Sequence, residues 1–501
     1  MKKVMLGAAA LMIGAIGFAQ TPVTDSSGGG STNTADLAQE EATLPGAPAT
    51  ANRNRTIQGG TDNIVEVGQV GTRQSVYTRQ VNGSGTGGND ARVMQTGLVT
   101  PGVSGERNMA EVLQDGTTND SDIDQNGDRN NAVSHQGQND DGSVSNRSYI
   151  RQGANGAQKA ERNAAAAYQD GNRNQSRIIQ TFDKNSAWTM QNGDDNKSRI
   201  NQNAAPNGTF GHRALVTQIG DANQADIDQN SGAGAENEAE IHQLGNGNIG
   251  QQTQTTDVAA GPNQGNDALI NQGDDSRWDN SALKGSIYAS LEAVQNDGGP
   301  SNGDNSFNGI AIQNQGGSLN VAESHQFGAD APQGSNFSEQ LQGMNDATSR
   351  NNDAYIVQNA YGNVAGGNNY AYQAQDGDNN KAGISQRNNG HQAAQMQDGN
   401  DNETYSTQRG AGHRVNTNQW GDDNHSTTAQ SGSMNVSLVN QTDGQSSIVE
   451  QGLAVPNPNS SNSAHIYQAG PGGGMDPGMS FGSNAAPGAL PNLGALNLSP
   501  L

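Results

Sequence analysis

The sequence predicts an all-β fold: a β-solenoid of about fifteen two-strand coils, with each strand about 4.8 Å from the next. One observation is a recurring phrase, Asn-x-Ala-x-Ile-x-Gln, whose last Gln usually opens the next copy after a Gly-bearing turn. The other is that 11 residues is the commonest spacing between successive anchor Gln residues. The cleanest copies run Gln114, Gly116, Asn119, Ser121, Ile123, Gln125; Gln169, Gly171, Asn174, Ser176, Ile178, Gln180; Gln191, Gly193, Asn196, Ser198, Ile200, Gln202; and Gln218, Gly220, Asn223, Ala225, Ile227, Gln229.

Composition by itself predicts a disordered chain, in contrast to the β-solenoid that the repeat predicts. The chain has 501 residues, 4% aromatic residues, no Cys and a formal net charge of −24, which is typical of disordered proteins. The strict repeat argues against disorder, because a disordered chain has no need of a Gln at regular intervals. The acidic balance disfavours nucleic-acid binding, which needs clustered Lys and Arg. The lack of Cys excludes disulfides and a lipidated Cys anchor.

The chain divides into four parts. Residues 1–19 read as a signal peptide, with Lys2 and Lys3 ahead of an apolar run too short to span a membrane. Residues 20–57 are predicted to be a flexible leader, 58–468 the repeat array, and 469–501 a Gly- and Pro-rich tail that is either loose or a cap or docking peptide. We therefore expect an exported protein without membrane insertion.

The phrase itself predicts the strands and turns of the array. Alternation at period two is typical of a strand with one buried face, and the Gln-x-Gly-x-x segment leaves room for a tight turn. Sixteen of the thirty intervals between anchors are 11 residues, and longer ones insert polar residues that belong in turns. The register is weakest from Gln272 to Gln315, where Gln295 is counted as an anchor and a strand is open to miscounting. The anchors are Gln at 58, 69, 80, 95, 114, 125, 136, 152, 169, 180, 191, 202, 218, 229, 243, 254, 272, 295, 315, 326, 342, 358, 375, 386, 397, 408, 419, 430, 441, 451 and 468.

Buried amides are expected to form columns in an amyloid-like cross-β stack. An unpaired buried polar group costs about 1–3 kcal/mol, and stacked identical amides avoid that cost by donating to the neighbour above and accepting from the neighbour below. Small Ala or Ser lets the sheets approach, and Ile or Val fills the remaining width. The predicted structural ladder comprises Gln114, Asn119, Gln125, Asn130, Gln136, Gln169, Asn174, Gln180, Gln191, Asn196, Gln202, Gln218, Asn223, Gln229, Gln375, Asn380, Gln386, Gln397, Asn402, Gln408, Gln419, Asn424, Gln430, Asn435 and Gln441.

Charged and aromatic residues are predicted on the outer face. Strand propensity and solubility account for them; an adhesive or ligand-binding stripe is the sharper alternative. The outward set comprises Asp122, Asp124, Arg177, Arg199, Asp226, Asp228 and Glu323, with Tyr77, Tyr149, Trp188, Tyr355, Tyr372 and Tyr405 three residues before an anchor Gln.

The repeat resembles the curlin repeat of curli fibre subunits. The resemblance rests on segments such as Gln125-Asn-Gly127-Asp-Arg-Asn130-Asn-Ala132-Val-Ser-His-Gln136 and Gln375-Asp-Gly377-Asp-Asn-Asn380-Lys-Ala382-Gly-Ile-Ser-Gln386. It covers about four fifths of the chain. It implies a secreted, cell-surface-associated functional amyloid that self-assembles into fibres for adhesion and biofilm, with curli-type export and nucleation proteins as partners. The chain departs from that family in its many more coils, in keeping Asn in the second strand, and in its insertions and tail.

Candidate sites are weak by comparison. Asp122-x-Asp124-x-Asn126-Gly127 resembles the opening of a calcium loop, but Val133 stands where the bidentate Glu is required. His391 and His413 replace ladder Asn one coil apart, which is compatible with a metal-binding or titrating pair and favours a neutral hydrogen-bonded pair. His135, His242 and His325 are predicted to face outward beside Gln.

No catalytic, cofactor or metal residues are predicted. The acid pairs Asp194-Asp195 and Asp422-Asp423 fall in repeated turns, where solvated loops explain them better than acid–base catalysis. The sequence therefore favours a non-enzymatic structural subunit of an extracellular curli-like fibre. The alternative is a monomeric β-solenoid surface adhesin that binds glycan or mineral, and a β-helix carbohydrate enzyme is the least favoured reading.

Overall fold

The computed structural model describes residues 26–27, 34–40, 52–82, 87–97, 99–100, 103–104, 107–137, 143–153, 160–204, 211–231, 235–256, 264–273, 283, 306, 308–328, 336–343, 349–360, 368–452 and 461–470. The strands in these ranges are β1 Ser26–Ser27, β2 Thr34–Glu40, β3 Arg53–Gly59, β4 Ile64–Val70, β5 Ser75–Val81, β6 Asp90–Thr96, β7 Val99–Thr100, β8 Val103–Ser104, β9 Met109–Asp115, β10 Asp120–Asp128, β11 Asn131–Gln136, β12 Arg147–Gln152, β13 Ala160–Glu161, β14 Ala164–Asp170, β15 Gln175–Thr181, β16 Ser186–Asn192, β17 Lys197–Asn203, β18 Arg213–Ile219, β19 Gln224–Ser231, β20 Glu238–Leu244, β21 Ile249–Thr256, β22 Asp267–Gln272, β23 Ile310–Gln315, β24 Val321–Gly328, β25 Phe337–Gln342, β26 Asp353–Ala360, β27 Tyr370–Asp376, β28 Lys381–Asn389, β29 Gln392–Asp398, β30 Glu403–Ala411, β31 Arg414–Trp420, β32 His425–Ser433, β33 Val436–Thr442, β34 Ser446–Gln451 and β35 Ser463–Ala469. None of the described residues belongs to a helix with the length and hydropathy that crossing a membrane requires.

Two parallel sheets contain nearly all of these strands. Sheet A consists of β1, β3, β5, β9, β11 and β14, followed by the even-numbered strands from β16 to β34. Sheet B consists of β2, β4, β6, β10, β12 and β15, followed by the odd-numbered strands from β17 to β35. The chain alternates between the sheets, so one strand of each makes a coil. Because β2 and β35 pair with other long strands on one side only, sheet B is open. The predicted β-solenoid of about fifteen coils is confirmed.

The strands stack in register, which places like residues on like residues. Gln125 of β10 lies between Gln95 and Gln152, and Ile123 lies beside Ile150. Burial alternates along the strands as the phrase predicts, with Ala or Ser, then Ile or Val, then Gln facing the opposite sheet. The core is therefore a narrow layer between two sheets, built from columns.

The count of anchors was wrong between Gln272 and Gln315. Ile249 pairs directly with Ile310 and Asp267 with Val321, so β23 follows β21 in sheet B and β24 follows β22 in sheet A. Gln295, counted as an anchor, lies outside the described residues. An interval rule cannot separate a Gln in an insertion from a Gln in a strand, because both satisfy an irregular spacing.

Strand pairing begins before residue 58, where the sequence predicts that the repeat array starts. Strand β2 lies within the predicted flexible leader and pairs in register with β4, with Gln39 beside Gln69. The signal was present, because residues 33–39 read Asn-Thr-Ala-Asp-Leu-Ala-Gln and keep the phrase with Leu in place of Ile. The predicted signal peptide and residues 471–501 of the predicted tail lie outside the described residues.

A typical turn contains two residues in the left-handed conformation, a Gly and a second residue two positions later. The first is Gly both because its φ is positive and because the next coil lies too close for a Cβ. Gly193 has φ 118°, and a Cβ there would lie 2.3 Å from the carbonyl oxygen of Gly220 in the next coil. Asp195, just before ladder residue Asn196, also has a positive φ, of 59°. The Gly position therefore serves close approach of successive coils, whereas the second position tolerates Asp, Arg or Asn.

Part of the predicted outer face is buried. Tyr355 and Tyr405 pack with Leu283, Phe327 and Val357, and the backbone N–H of Leu283 donates to Glu323 Oε1 at 3.2 Å. The expectation that these two tyrosines and Glu323 face solvent is wrong, because a residue of the long insertion covers this part of sheet A. His242, His325 and Asp226 are also buried, whereas Tyr77, Tyr149, Trp188 and Tyr372 are half-buried.

Candidate functional site

Two columns of anchor glutamines run through the stack and form its most regular feature. Glutamine column A contains Gln58, Gln80, Gln114, Gln136, Gln169, Gln191, Gln218, Gln243, Gln272, Gln326, Gln358, Gln386, Gln408, Gln430 and Gln451, and each Nε2 donates to the next Oε1 at 2.7–3.2 Å. Glutamine column B contains Gln69, Gln95, Gln125, Gln152, Gln180, Gln202, Gln229, Gln254, Gln315, Gln342, Gln375, Gln397, Gln419, Gln441 and Gln468, with the same bonds at 2.8–3.0 Å.

The same amides also join the two sheets. Gln125 of sheet B donates to the backbone oxygen of Met109 in sheet A at 2.9 Å, and Gln136 of sheet A donates to Asp120 O in sheet B at 3.0 Å. One amide hydrogen therefore points along the stack and the other across it. Burial of these polar groups is compensated in both directions, since buried amides are stable only when hydrogen-bonded.

The ladder asparagines bond differently from the sequence expectation. Asn174 Nδ2 donates to the backbone oxygens of Asp170 and Gly193 at 2.9 and 2.7 Å, while its Oδ1 accepts the backbone N–H of Asn196 at 3.0 Å. The side chain thus holds its own turn and the turn of the next coil. A direct amide-to-amide bond occurs at Asn424, whose Nδ2 donates to Asn402 Oδ1 at 3.0 Å. Asn119, Asn130, Asn196, Asn223, Asn380 and Asn435 are likewise buried at turns.

A further buried column is not predicted by the repeat phrase. In sheet B the Ile column Ile123, Ile150, Ile178, Ile200 and Ile227 gives way to Gln252, Gln313, Gln340, Gln373 and Gln395, which we call the inner glutamine column. Its amides bond to one another at 2.8–3.0 Å, and the last one donates to Ser406 Oγ at 2.8 Å. The available signal was Gln-x-Gln at strand ends, as in Gln252-Thr-Gln254.

The inner glutamine column coincides with a change in the opposite sheet. Where sheet B carries Ile, sheet A carries smaller residues such as Ser134, Ala167 and Thr189, and where sheet B carries Gln, sheet A carries Ile241, Ile270, Ile356 and Ile384. Bulky apolar residues thus change sheets halfway along the array. The distance between the sheets stays constant because a large side chain on one sheet faces a small side chain on the other, as close packing requires.

Three histidines occupy asparagine positions. The rings of His391 and His413 stack with centroids 5.1 Å apart and planes 4° from parallel. His391 Nε2 faces Arg387 O at 2.7 Å, and His413 Nε2 faces Arg409 O at 2.9 Å. His212 stands alone in the other turn column, with Nε2 3.2 Å from Asn203 O. Parallel rings cannot direct two nitrogens at one metal ion, and no three His, Cys, Asp or Glu in the described ranges are grouped to hold one.

The predicted acidic candidates have structural partners. Arg92 Nη1 lies 3.1 Å from Asp122 Oδ2 on the outer face of sheet B, where burial raises the pKa of Asp122 and of Asp124. Arg173 bonds Asp195 at 2.7 and 2.8 Å and holds the pKa of that carboxyl below its usual value. Asp194 Oδ1 accepts the backbone N–H of Asn172 at 2.9 Å. These contacts order strands and turns, and they converge on no substrate position.

An aromatic cluster lies on the outer face of sheet A. Tyr168 and Trp188 stack with centroids 5.1 Å apart, and His135 meets Tyr168 edge-on at 5.0 Å. His135 Nε2 also lies 3.1 Å from Glu111. The rings are half-buried, so one side of the cluster faces solvent. This is the described part of the surface that best suits the adhesin alternative.

The C-terminal end of the stack is a strand edge. Val436 of β33 and His425 of β32 donate their N–H groups forward to Asn462 O and Gln445 O, at 2.8 and 2.7 Å. The equivalent residues of β35 and β34, Ser463 and Ser446, have no following strand among the described residues. Ile448 of this edge is 68% exposed. Since the glutamines of columns A and B donate toward the C-terminal end, the stack is polar, and this end presents amide donors.

In comparisons with known proteins, no family model matches the chain and no curated protein matches it.

Proposed function

We propose that this protein is the structural subunit of an extracellular curli-like amyloid fibre, in which copies stack head to tail and build an adhesive biofilm matrix. The open, in-register parallel edge at β34 and β35 carries the proposal. Unpaired N–H and C=O groups of a flat strand edge template another strand. The resemblance of the repeat to curlin supports the same reading, as does the predicted signal peptide.

The polarity of the glutamine columns supports head-to-tail stacking. Gln441 donates to Gln468 at 2.8 Å, so the column continues only if the next residue offers an amide oxygen. In sheet B the start of the stack offers a residue of the same type, since β2 carries Gln39 in register with Gln69. Two C-terminal ends would instead set donor against donor. Joining unlike ends generates an open filament.

An edge-proline variant tests this proposal. In a parallel strand, the N–H groups of every second residue point to the same neighbouring strand. Residues 448 and 465 lie two positions after Ser446 and Ser463, so their N–H groups point away from β32 and β33, toward the open edge. Ile448→Pro with His465→Pro therefore removes N–H groups from that edge and leaves the pairing with β32 and β33 intact. The matched control, Ile448→Ala with His465→Ala, keeps those groups. We expect the proline variant to keep its circular dichroism spectrum and to elongate wild-type seeds far more slowly than the alanine control. Equal elongation by both variants would contradict templating at this edge.

The cluster of Tyr168 and Trp188 favours the second candidate function, a monomeric adhesin that binds glycan or mineral. Half-exposed stacked rings offer an apolar platform of the kind that ligands use. Sedimentation separates the candidates, because the purified mature chain should stay monomeric for days if it is a capped adhesin. Fibre diffraction of the sedimented material should show spacings of about 4.8 and about 10 Å if it is the fibre subunit.

A further inference from the structure

The three histidines in the asparagine columns make the same hydrogen bonds as asparagine, because a neutral imidazole has one donor nitrogen and one acceptor nitrogen. His413 donates its backbone N–H to His391 Nδ1 at 3.4 Å, and Asn435 donates its own to His413 Nδ1 at 3.2 Å. In the other column, Asn237 donates to His212 Nδ1 at 3.2 Å. Because Nδ1 accepts in each case, the proton is on Nε2, which donates to a backbone carbonyl as asparagine Nδ2 does.

We propose that His212, His391 and His413 are acid-sensitive rungs of the asparagine columns, at which protonation of the imidazole breaks the bond to the next coil. An imidazolium carries N–H groups on both nitrogens. Its Nδ1–H then meets the backbone N–H of His413, Asn435 or Asn237, which loses its acceptor inside the stack. Asparagine at the same position accepts that N–H at every pH, so the other coils lack this response.

The surroundings supply little to stabilise the charged form. The rings of His212, His391 and His413 are fully buried. For His391, the titratable neighbour is His413, which disfavours a second positive charge. The flanking charged residues are cationic around the pair, at Arg387, Arg409 and Arg414, and each of them is at least partly exposed.

His212 has a mixed charged neighbourhood. Arg213 follows it and is paired with Glu236, while Lys184 lies in the turn of the preceding coil. Glu236 is therefore engaged with Arg213 and is not a counter-ion for the ring. The carbonyl of Asn203 is the polar group on Nε2. Among the described residues, no carboxylate is bonded to an imidazole nitrogen at either location, in contrast to the pairs that His135 and His242 make with Glu111 and Glu240.

Burial sets the direction of the pH response. It lowers the pKa of His212 and of His391 from 6.5 to about 4, and it lowers the pKa of His413. Between the unfolded and folded values the unfolded chain binds more protons, so stability falls as pH falls from about 6.5 toward about 4. Above the unfolded value the rungs are neutral in both states and make their full contribution. The rungs thus weaken the stack in mildly acidic surroundings.

A triple substitution isolates this effect. His212→Asn, His391→Asn and His413→Asn install the residue found at the equivalent turns, so the full chain should fold. Urea unfolding is followed at about pH 7.5 and about pH 5, on either side of the ordinary histidine pKa. Carboxyl groups with raised pKa values shift the midpoint of every variant in the same way, so the test is the difference between variants. On acidification the midpoint of the triple variant should change in the stabilising direction relative to that of wild type. The control, His465→Asn at an exposed position, should behave as wild type. Equal changes of midpoint in all three proteins would overturn the proposal.

A measurement on the wild-type chain keeps the proposal testable if the triple variant folds poorly. Nitrogen-15 spectra of the imidazoles report the tautomer and the titration of each ring. We expect three rings to hold the Nε2–H form and to resist protonation down to about pH 5, with loss of the folded signals when they titrate. Reversible titration of these rings near pH 6.5 with the folded spectrum unchanged would refute it. Both readouts concern the single chain, so they are independent of whether fibres form.

Discussion

Gln254 donates its amide hydrogen to Gln315 Oε1 at 2.9 Å, although 61 residues separate the two in the chain. The next inner pair, Gln252 and Gln313, has the same separation and distance. The stack therefore stays in register across its longest insertions. Register is restored because a one-residue slip would move every buried amide to the solvent face and every charge inward.

Breaking that contact should be costly. Gln315→Leu removes the acceptor of Gln254 and the donor to Gln342, leaving buried polar groups without partners. We expect a loss of about 3 kcal/mol in the free energy of unfolding, measured by urea titration. Gln251→Leu changes an outward residue of the neighbouring strand β21 and should cost far less. Similar losses for the two variants would mean that the column contributes nothing specific.

The inner glutamine column should show strong coupling between neighbours. Gln340 donates to Gln373 at 3.0 Å. Gln340→Val and Gln373→Val each leave the other amide unsatisfied, so each single variant should lose about 1–3 kcal/mol. The double variant should lose less than the two losses added together, because both partners of the bond are then apolar. A double-mutant cycle measures this coupling, and strict additivity would show that the two amides act independently.

Stacking of turns should make one glycine far more sensitive than another. Gly193→Ala places a Cβ 2.3 Å from Gly220 O, whereas Gly444, with φ 70°, has nothing within 4 Å of an added Cβ. Gly444→Ala should therefore cost about 1 kcal/mol for the backbone conformation alone. The melting temperature of Gly193→Ala should fall well below that of Gly444→Ala. Equal values would show that neighbouring turns yield freely.

A half-buried carboxyl should respond to acid in the opposite direction to the histidines. Burial raises the pKa of Asp353 from 3.8 to about 6, against the opposing charge of Lys381. The folded chain therefore binds more protons between these values, and this group stabilises the fold as pH falls through about 6. Asp353→Asn should raise the urea midpoint at pH 7 and remove that part of the pH dependence. Asp401→Asn, in an exposed turn, is the control and should leave the midpoint unchanged.

Assembly should accelerate with salt if copies stack as proposed. The net charge is −24, and in-register stacking sets like charges on adjacent strands, as with Asp90 and Asp120. Raising the ionic strength from about 0.05 M to about 0.5 M shortens the range of that repulsion. Dye-binding kinetics of the purified chain should show a shorter lag at high salt. A lag that lengthens with salt would contradict repulsion between copies as the barrier.

The alternation of Asn, Ala, Ile and Gln determined the coil, the inward face and the glutamine columns. In a strand every second side chain points to the same side, so a fixed repeat places the same residue types in the core of every coil. The phrase also contained β2, as residues 33–39 show once Leu is read for Ile. Spacing alone could not show that Gln254 meets Gln315 directly, because the irregular intervals there allow a further anchor to be counted.

Only the tertiary structure decided which groups each amide meets. The asparagines turn to backbone atoms of adjacent coils, because a short side chain at a turn lies within reach of carbonyl and N–H groups, whereas the longer glutamine reaches its stacked neighbour and the opposite sheet. Likewise Tyr355 and Tyr405 are buried in a cluster that includes Leu283, which is distant in sequence. Local pattern sets the direction in which a side chain points, but what lies there depends on contacts between coils.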